Sequence, residues 1–193
     1  MSHVYSQIPE QYHLLREIDL QKNKKTALFV NVLAGVVMVV MAFVMNAFIP
    51  FSNLFDMSAG FVSYILRFVV IVIGLILYIV LHELTHAAVM KHYGAPGVKF
   101  GFTGLYAFAG SPDAYFDRHS YLRVSLAPLI VWGIVFAILC VISGHAWFWV
   151  FWTLQIVNVS GAAGDVYVSV LCLRMPDTVL INDDGVSMRF YDR

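Results

Sequence analysis

The sequence predicts an all-α integral membrane protein of about four transmembrane helices, with a short β-hairpin at the cytoplasmic interface. Three observations predict it. Of the 193 residues, 60% are hydrophobic and only 12% charged, where a soluble domain carries about 25% charged residues; the mean hydropathy is +0.77. The apolar residues are gathered into long runs, as a bilayer requires and a globular core does not. The basic residues are distributed unevenly between the connections, which gives the runs an orientation.

Four runs, at about 26–49, 62–92, 121–143 and 146–173, are long enough to cross a hydrocarbon core, for which about 20 helical residues suffice. The second and fourth exceed that length, so they tilt or project. The first 25 residues are polar and mixed and end in Lys22, Lys24 and Lys25. The run after them is too long for a signal-peptide core and is expected to be retained as a helix. Eleven of the 12 Lys and Arg residues precede span one, lie in or flank the connection between spans two and three, or follow span four. The connections at 50–61 and 144–145 have none, and Arg67 stands apart near the outer end of span two. The positive-inside rule then puts both termini in the cytoplasm, on the inner side of a plasma membrane. In the connection at 97–110, apolar residues alternate about Thr103-Gly104, the pattern of a hairpin. Its bland role is an aromatic interface anchor; its functional one is an edge for an extended substrate. Asp183-Asp184-Gly185 reads as a turn in a short cytosolic tail.

With no linker or repeat, residues 1–193 read as one domain. The zero net charge gives no basic patch for nucleic acid. Cys140 and Cys172 both lie in apolar runs, with neither disulfide nor thiolate-zinc spacing, and read as small buried hydrophobes. His3, His13 and His145 lie near ends or interfaces and carry no assigned role.

The chemistry is concentrated at the end of span two, in His82-Glu83-Leu84-Thr85-His86. On a helix, histidines four residues apart lie about 40° apart around the axis and one turn along it, so both imidazoles reach one tetrahedral zinc. Glu83, rotated to the side, can take a proton from a water that the metal polarises and return it to a leaving amine. Glu83 is also the only glutamate in any span. An ionisable group at that depth costs about 2.5–3.5 kcal/mol on insertion scales, so its presence points to function. The bland alternative is a polar cluster that joins helices by hydrogen bonds.

Catalytic zinc needs a third protein ligand and an open position. No glutamate follows Glu83. His92, six residues beyond His86, occupies the spacing used when a chain reversal follows the motif, but Val89 stands where such a reversal needs glycine. On a continuous helix His92 would point about 120° away and lie about 9 Å further along. Asp165 is the stronger candidate: it is the acidic residue well inside span four, eight residues from its end where His82 is ten from the end of span two. Asn158, seven residues earlier, is expected on the same helix face, and the small residues between the two permit close helix approach. Pro128, at similar depth in span three, removes a backbone hydrogen bond and reads either as a simple kink or as an opening for water.

These residues resemble two related groups of proteins. His82-Glu83-Leu84-Thr85-His86 is similar to the motif of intramembrane site-2 proteases, and Asn158 with Asp165 to their distal Asn…Asp element. Closer is a compact bacterial family of zincin-like peptidases of unknown function. It shares the HELxH helix, Leu126-Ala127-Pro128 in the next span, the segment of Asn158, Gly164 and Asp165, and a tail containing Pro176 and Asp183-Asp184-Gly185. The resemblance covers most of the chain past about residue 60. It implies Zn2+ held by His82, His86 and Asp165, with Glu83 as the catalytic base and Asn158 as a polar helper. The expected reaction is hydrolysis of peptide bonds in a peptide or membrane-protein substrate. The competing readings are a metal transporter or sensor, which has no need of Glu83, and a non-catalytic membrane scaffold, which has no need of an intact motif.

Overall fold

The computed structural model describes residues 4–19, 21–104 and 106–193; His3, and Leu105 of the expected hairpin, lie outside the described residues. In chain order the elements are strands β1 (Val4–Tyr5) and β2 (His13–Asp19), helix α1 (Lys24–Asn46), a 3-10 turn (Phe51–Phe55), α2 (Phe61–His92), β3 (Lys99–Phe102), β4 (Ala107–Asp117), α3 (Arg118–Ile142), α4 (Gly144–Gly161), α5 (Ala163–Leu173), β5 (Leu180–Asp183) and β6 (Ser187–Asp192). The protein is mostly helical. Among the described residues four stretches, Lys24–Asn46, Phe61–His92, Arg118–Ile142 and Gly144–Leu173, are long and apolar enough to cross a membrane.

Local chemistry sets the helix ends. The Asn23 side-chain oxygen accepts the Thr26 N–H at 3.2 Å and opens α1; Asp117 Oδ1 accepts the Ser120 N–H at 2.7 Å and opens α3. Both satisfy donors that a helix start leaves without partners. Helix α2 closes at Gly94, whose φ of +97° suits glycine, while the Ala95 N–H returns to the Met90 carbonyl at 3.1 Å.

The chain forms two compact units. The first comprises residues 1–30, 81–127 and 164–193. Its antiparallel sheet runs β1-β4-β5-β6-β2, with β3 paired to the beginning of β4. The strands contribute Ala114, Phe116, Ile181 and Phe190 to one core with Met90, Tyr121, Val124, Val168 and Cys172 from helices. The second unit, residues 31–80 and 128–163, is built of helices. It has two cores, one about Trp149, Phe148 and Leu54, the other about Tyr78, Phe136 and Leu154. Arg67, fully buried there, donates to the carbonyls of Asn53, Leu54 and Asp56 at 2.7–3.0 Å and so ties down the 3-10 turn.

Three features differ from the sequence reading. Among the described residues the sheet has six strands, where the sequence predicts a single hairpin. The hairpin itself is present, with Thr103 N–H bonded to the Tyr106 carbonyl at 3.0 Å and Gly104 at φ +89°. The polar lead and the tail, however, also become strands: β2 pairs with β6 from His13↔Asp192 to Asp19↔Ser187, and β5 with β6. Pairing between the two ends of a chain leaves no local signal, and an exposed edge such as β2 need not alternate. Finally, the fourth span is not one helix. It breaks at Ala162, whose ψ of 7° leaves helical geometry. The run Ser160-Gly161-Ala162-Ala163-Gly164 offers little to hold a helix there, since each glycine costs about 0.5–1 kcal/mol relative to alanine. Asn158 and Asp165 therefore lie on different helices, and their seven-residue spacing does not put them on a common face.

Candidate metal centre

His82 and His86 project from the end of α2 as their spacing predicts, with Nε2 atoms 3.2 Å apart. Asp165, in the first turn of α5, turns both carboxylate oxygens to them: Oδ2 lies 3.4 Å from His82 Nε2 and Oδ1 3.6 Å from His86 Nε2. These three residues are the one group of three or more metal-ligating side chains found close together among the described residues. His92 does not join them. It is exposed at the end of α2, its ring against Tyr93.

The distances bear on two explanations of the cluster, which could hold a metal ion. A charge-assisted hydrogen bond between imidazolium and carboxylate closes to about 2.7–2.9 Å, and neither His–Asp separation does so. A tetrahedral ion with bonds of about 2.0–2.1 Å separates its ligand atoms by about 3.3 Å, the edge of the tetrahedron. All three separations lie within a few tenths of an ångström of that edge. Two imidazole nitrogens and a carboxylate also form a donor set suited to zinc.

A further bond settles the form of His86. Its Nδ1 lies 2.9 Å from the Val124 carbonyl on α3. A carbonyl only accepts, so Nδ1 carries the proton, and in the neutral ring Nε2 keeps its lone pair facing Asp165 and His82. Such a second contact orients a ligating histidine and fixes its tautomer. The next residue, Ser125, donates its hydroxyl to the Asp165 backbone carbonyl at 2.9 Å and receives the Ser169 hydroxyl at 3.1 Å. Adjacent residues of α3 thus hold the two chain segments that carry His86 and Asp165.

Glu83, one residue beyond His82, is partly buried. The backbone N–H of Ala109, on β4, lies near its carboxylate. Asn158 has different surroundings. It is fully buried in the helical unit, where Oδ1 accepts the Tyr78 hydroxyl at 3.0 Å and Nδ2 donates to the Leu129 carbonyl at 3.2 Å. The roles of Val124 and Ser125, and the bond between Tyr121 and Asp183, are not legible in the sequence. Pro128 was the available signal for Val124, since a proline leaves the carbonyl four residues before it without a helical donor. Tyr121 donates to Asp183 Oδ2 at 2.6 Å across 62 residues of chain, and nothing local announces that bond.

Comparison with known proteins adds one result. A family profile described as "Putative zincin peptidase", a domain of unknown function, matches residues 75–180. The chain belongs to this family. The match covers more than half of the 193 residues and contains His82, Glu83, His86 and Asp165. No curated protein and no solved structure matches the chain.

Proposed function

We propose that this member of the zincin-peptidase family is a membrane-embedded zinc metallopeptidase, related in its chemistry to the site-2 proteases, that hydrolyses peptide bonds near the cytoplasmic face. The observation that carries the reading is the convergence of His82, His86 and Asp165 at the separations of a tetrahedral donor set, one residue from a partly buried glutamate. Embedding in a bilayer is supported by the large apolar side chains that the spans leave uncovered, such as Phe43 at 77% and Val141 at 84% exposed.

In this reading His82 and His86 offer Nε2, and Asp165 its carboxylate, to the metal. Zinc bound there would supply a Lewis acid that polarises the scissile carbonyl and makes water acidic enough to react near neutral pH. Glu83 takes the proton from the attacking water as its oxygen adds to the carbonyl carbon. It then gives that proton to the departing nitrogen as the C–N bond breaks, leaving a carboxylic acid and an amine. The Ala109 N–H lies near this carboxylate, which puts the β3–β4 hairpin beside it, where an extended substrate would pass. Asn158 enters as a polar helper without contact to the metal; its bonds to Tyr78 and Leu129 support a part in holding helices.

The test is metal analysis and peptide cleavage on the protein purified in detergent. Wild type should carry one zinc per chain, and its removal by chelator should abolish cleavage, which zinc restores. Glu83→Gln should keep the metal and lose at least about 100-fold in turnover, in the range expected for loss of a general base. Asp165→Asn should lose zinc affinity. A wild-type protein that never binds a stoichiometric metal would refute the reading.

A further inference from the structure

The bond between His86 and Val124 raises a question of supply. Within a helix, the carbonyl of residue 124 is normally taken by the N–H of residue 128. Residue 128 is proline, inside α3, and has no N–H to give; its ring also crowds the carbonyl four residues back and turns it away from the helix axis. The Val124 carbonyl is thus released from the helix, and it is this carbonyl that receives His86 Nδ1–H at 2.9 Å. His86 and Val124 are both buried, at 8% and 1% exposure, so water does not compete for either group.

We infer that Pro128 is a positioning residue of the metal centre: by leaving the Val124 carbonyl without a helical donor, it locks His86 into the Nδ1–H tautomer and directs its Nε2 at the ligand cluster. The bond from Ser125 to the Asp165 carbonyl extends the same role to the second segment, so that Val124, Ser125 and Pro128 work as one support within α3. This inference rests on the metallopeptidase reading for its purpose, but its chemistry can be measured without metal. It also replaces the two sequence-level roles of Pro128, a simple kink or an opening for water, with a defined one.

The substitution that tests it is Pro128→Ala, which restores an N–H to compete with His86 for the Val124 carbonyl. Ordinary helix physics makes alanine the better residue at a helix interior, so the thermal midpoint should stay or rise. Zinc affinity should move the other way, weakening by about 10-fold or more, as loss of a supporting partner of a ligating histidine does. Affinity is read by competition with a chromophoric chelator on the full-length, detergent-purified protein. Nitrogen NMR of the metal-free, histidine-labelled protein at alkaline pH reads the tautomer directly. His86 should be the Nδ1–H form in wild type and a mixture in Pro128→Ala. Ser125→Ala, a smaller change, should weaken zinc severalfold and leave the His86 tautomer as it is. Unchanged affinity and tautomer in Pro128→Ala would overturn the inference while leaving the enzyme reading intact. An Nε2–H tautomer in wild type would overturn it even if the proline variant failed to fold. Absence of zinc from wild type would instead sink the functional reading, and the tautomer would still decide the role of Pro128.

Discussion

At the scale of single residues, His82, Glu83 and His86 were legible because their geometry is local: four residues on a helix fix the relation of two imidazoles whatever the rest of the chain does. Asp165 was legible through cost, as an acid deep in an apolar run. Asp183 and Asp184 were legible only as a turn, and as charges they behave as opposites. Burial pushes the Asp183 carboxyl above its ordinary value, against the favourable bonds from Tyr121 and the Gly185 N–H. Asp184, at the mouth of the same turn, is held below it despite some burial, by the Ser187 backbone and hydroxyl, the Val186 N–H and Arg189. The signs follow. A raised carboxyl favours the folded state most when protonated, so its contribution grows as pH falls through the folded value. A depressed one contributes above the unfolded value, about 3.9, and loses that contribution as pH falls through the lower folded value. Asp184→Asn should therefore cost about 1 kcal/mol at neutral pH and lose its difference from wild type in strong acid. Asp183→Asn should make stability fall more steeply on acidification. Denaturation midpoints at pH 7, 5, 4 and 3 check both.

At the scale of elements, the strands at the chain ends and the break at Ala162 are not legible in the sequence. A strand such as β2 is stabilised by a partner at the far end of the chain, so its own composition carries little information. The glycines discriminate between two kinds of position. A Cβ on Gly110 of β4 would overlap the backbone of Asp184 and Gly185, whereas one on Gly164, beside the helix break, would meet nothing within 4 Å. Gly110→Ala should therefore destabilise by about 2 kcal/mol or more through overpacking against a backbone that cannot yield. Gly164→Ala should be neutral or stabilising by up to about 1 kcal/mol, from lower unfolded-state entropy. Thermal or denaturant unfolding of the two variants against wild type decides it. A stable Gly110→Ala would mean that the turn from β5 to β6 does not pack there.

At the scale of the whole molecule, the proposed topology can be checked by side-specific labelling, because Cys140 and Cys172 are buried and free. A cysteine replacing exposed Ser52, before α2, should react with an impermeant thiol reagent from outside. One replacing exposed His92, at the end of α2, should react only from the cytoplasmic side, and that variant should keep its zinc. Labelling of both from one side would refute a membrane-crossing α2.

What the sequence determined by itself was whatever depends on short range or on bulk cost. That includes four stretches apolar and long enough to cross a bilayer, an HExxH pair set by helical pitch, an acid inside an apolar run, and a proline that frees one carbonyl. What only the tertiary structure decided was which groups those features meet. The Val124 carbonyl bonds to His86, Ser125 to the Asp165 backbone, Asn158 to Tyr78, and the two chain ends join one sheet. Each of these bonds joins residues far apart in the chain, and its partner is selected by packing, for which no local pattern of residues provides a code. The proline belongs to both accounts. Its missing N–H is written in the sequence, and the histidine that uses the freed carbonyl appears only in the fold.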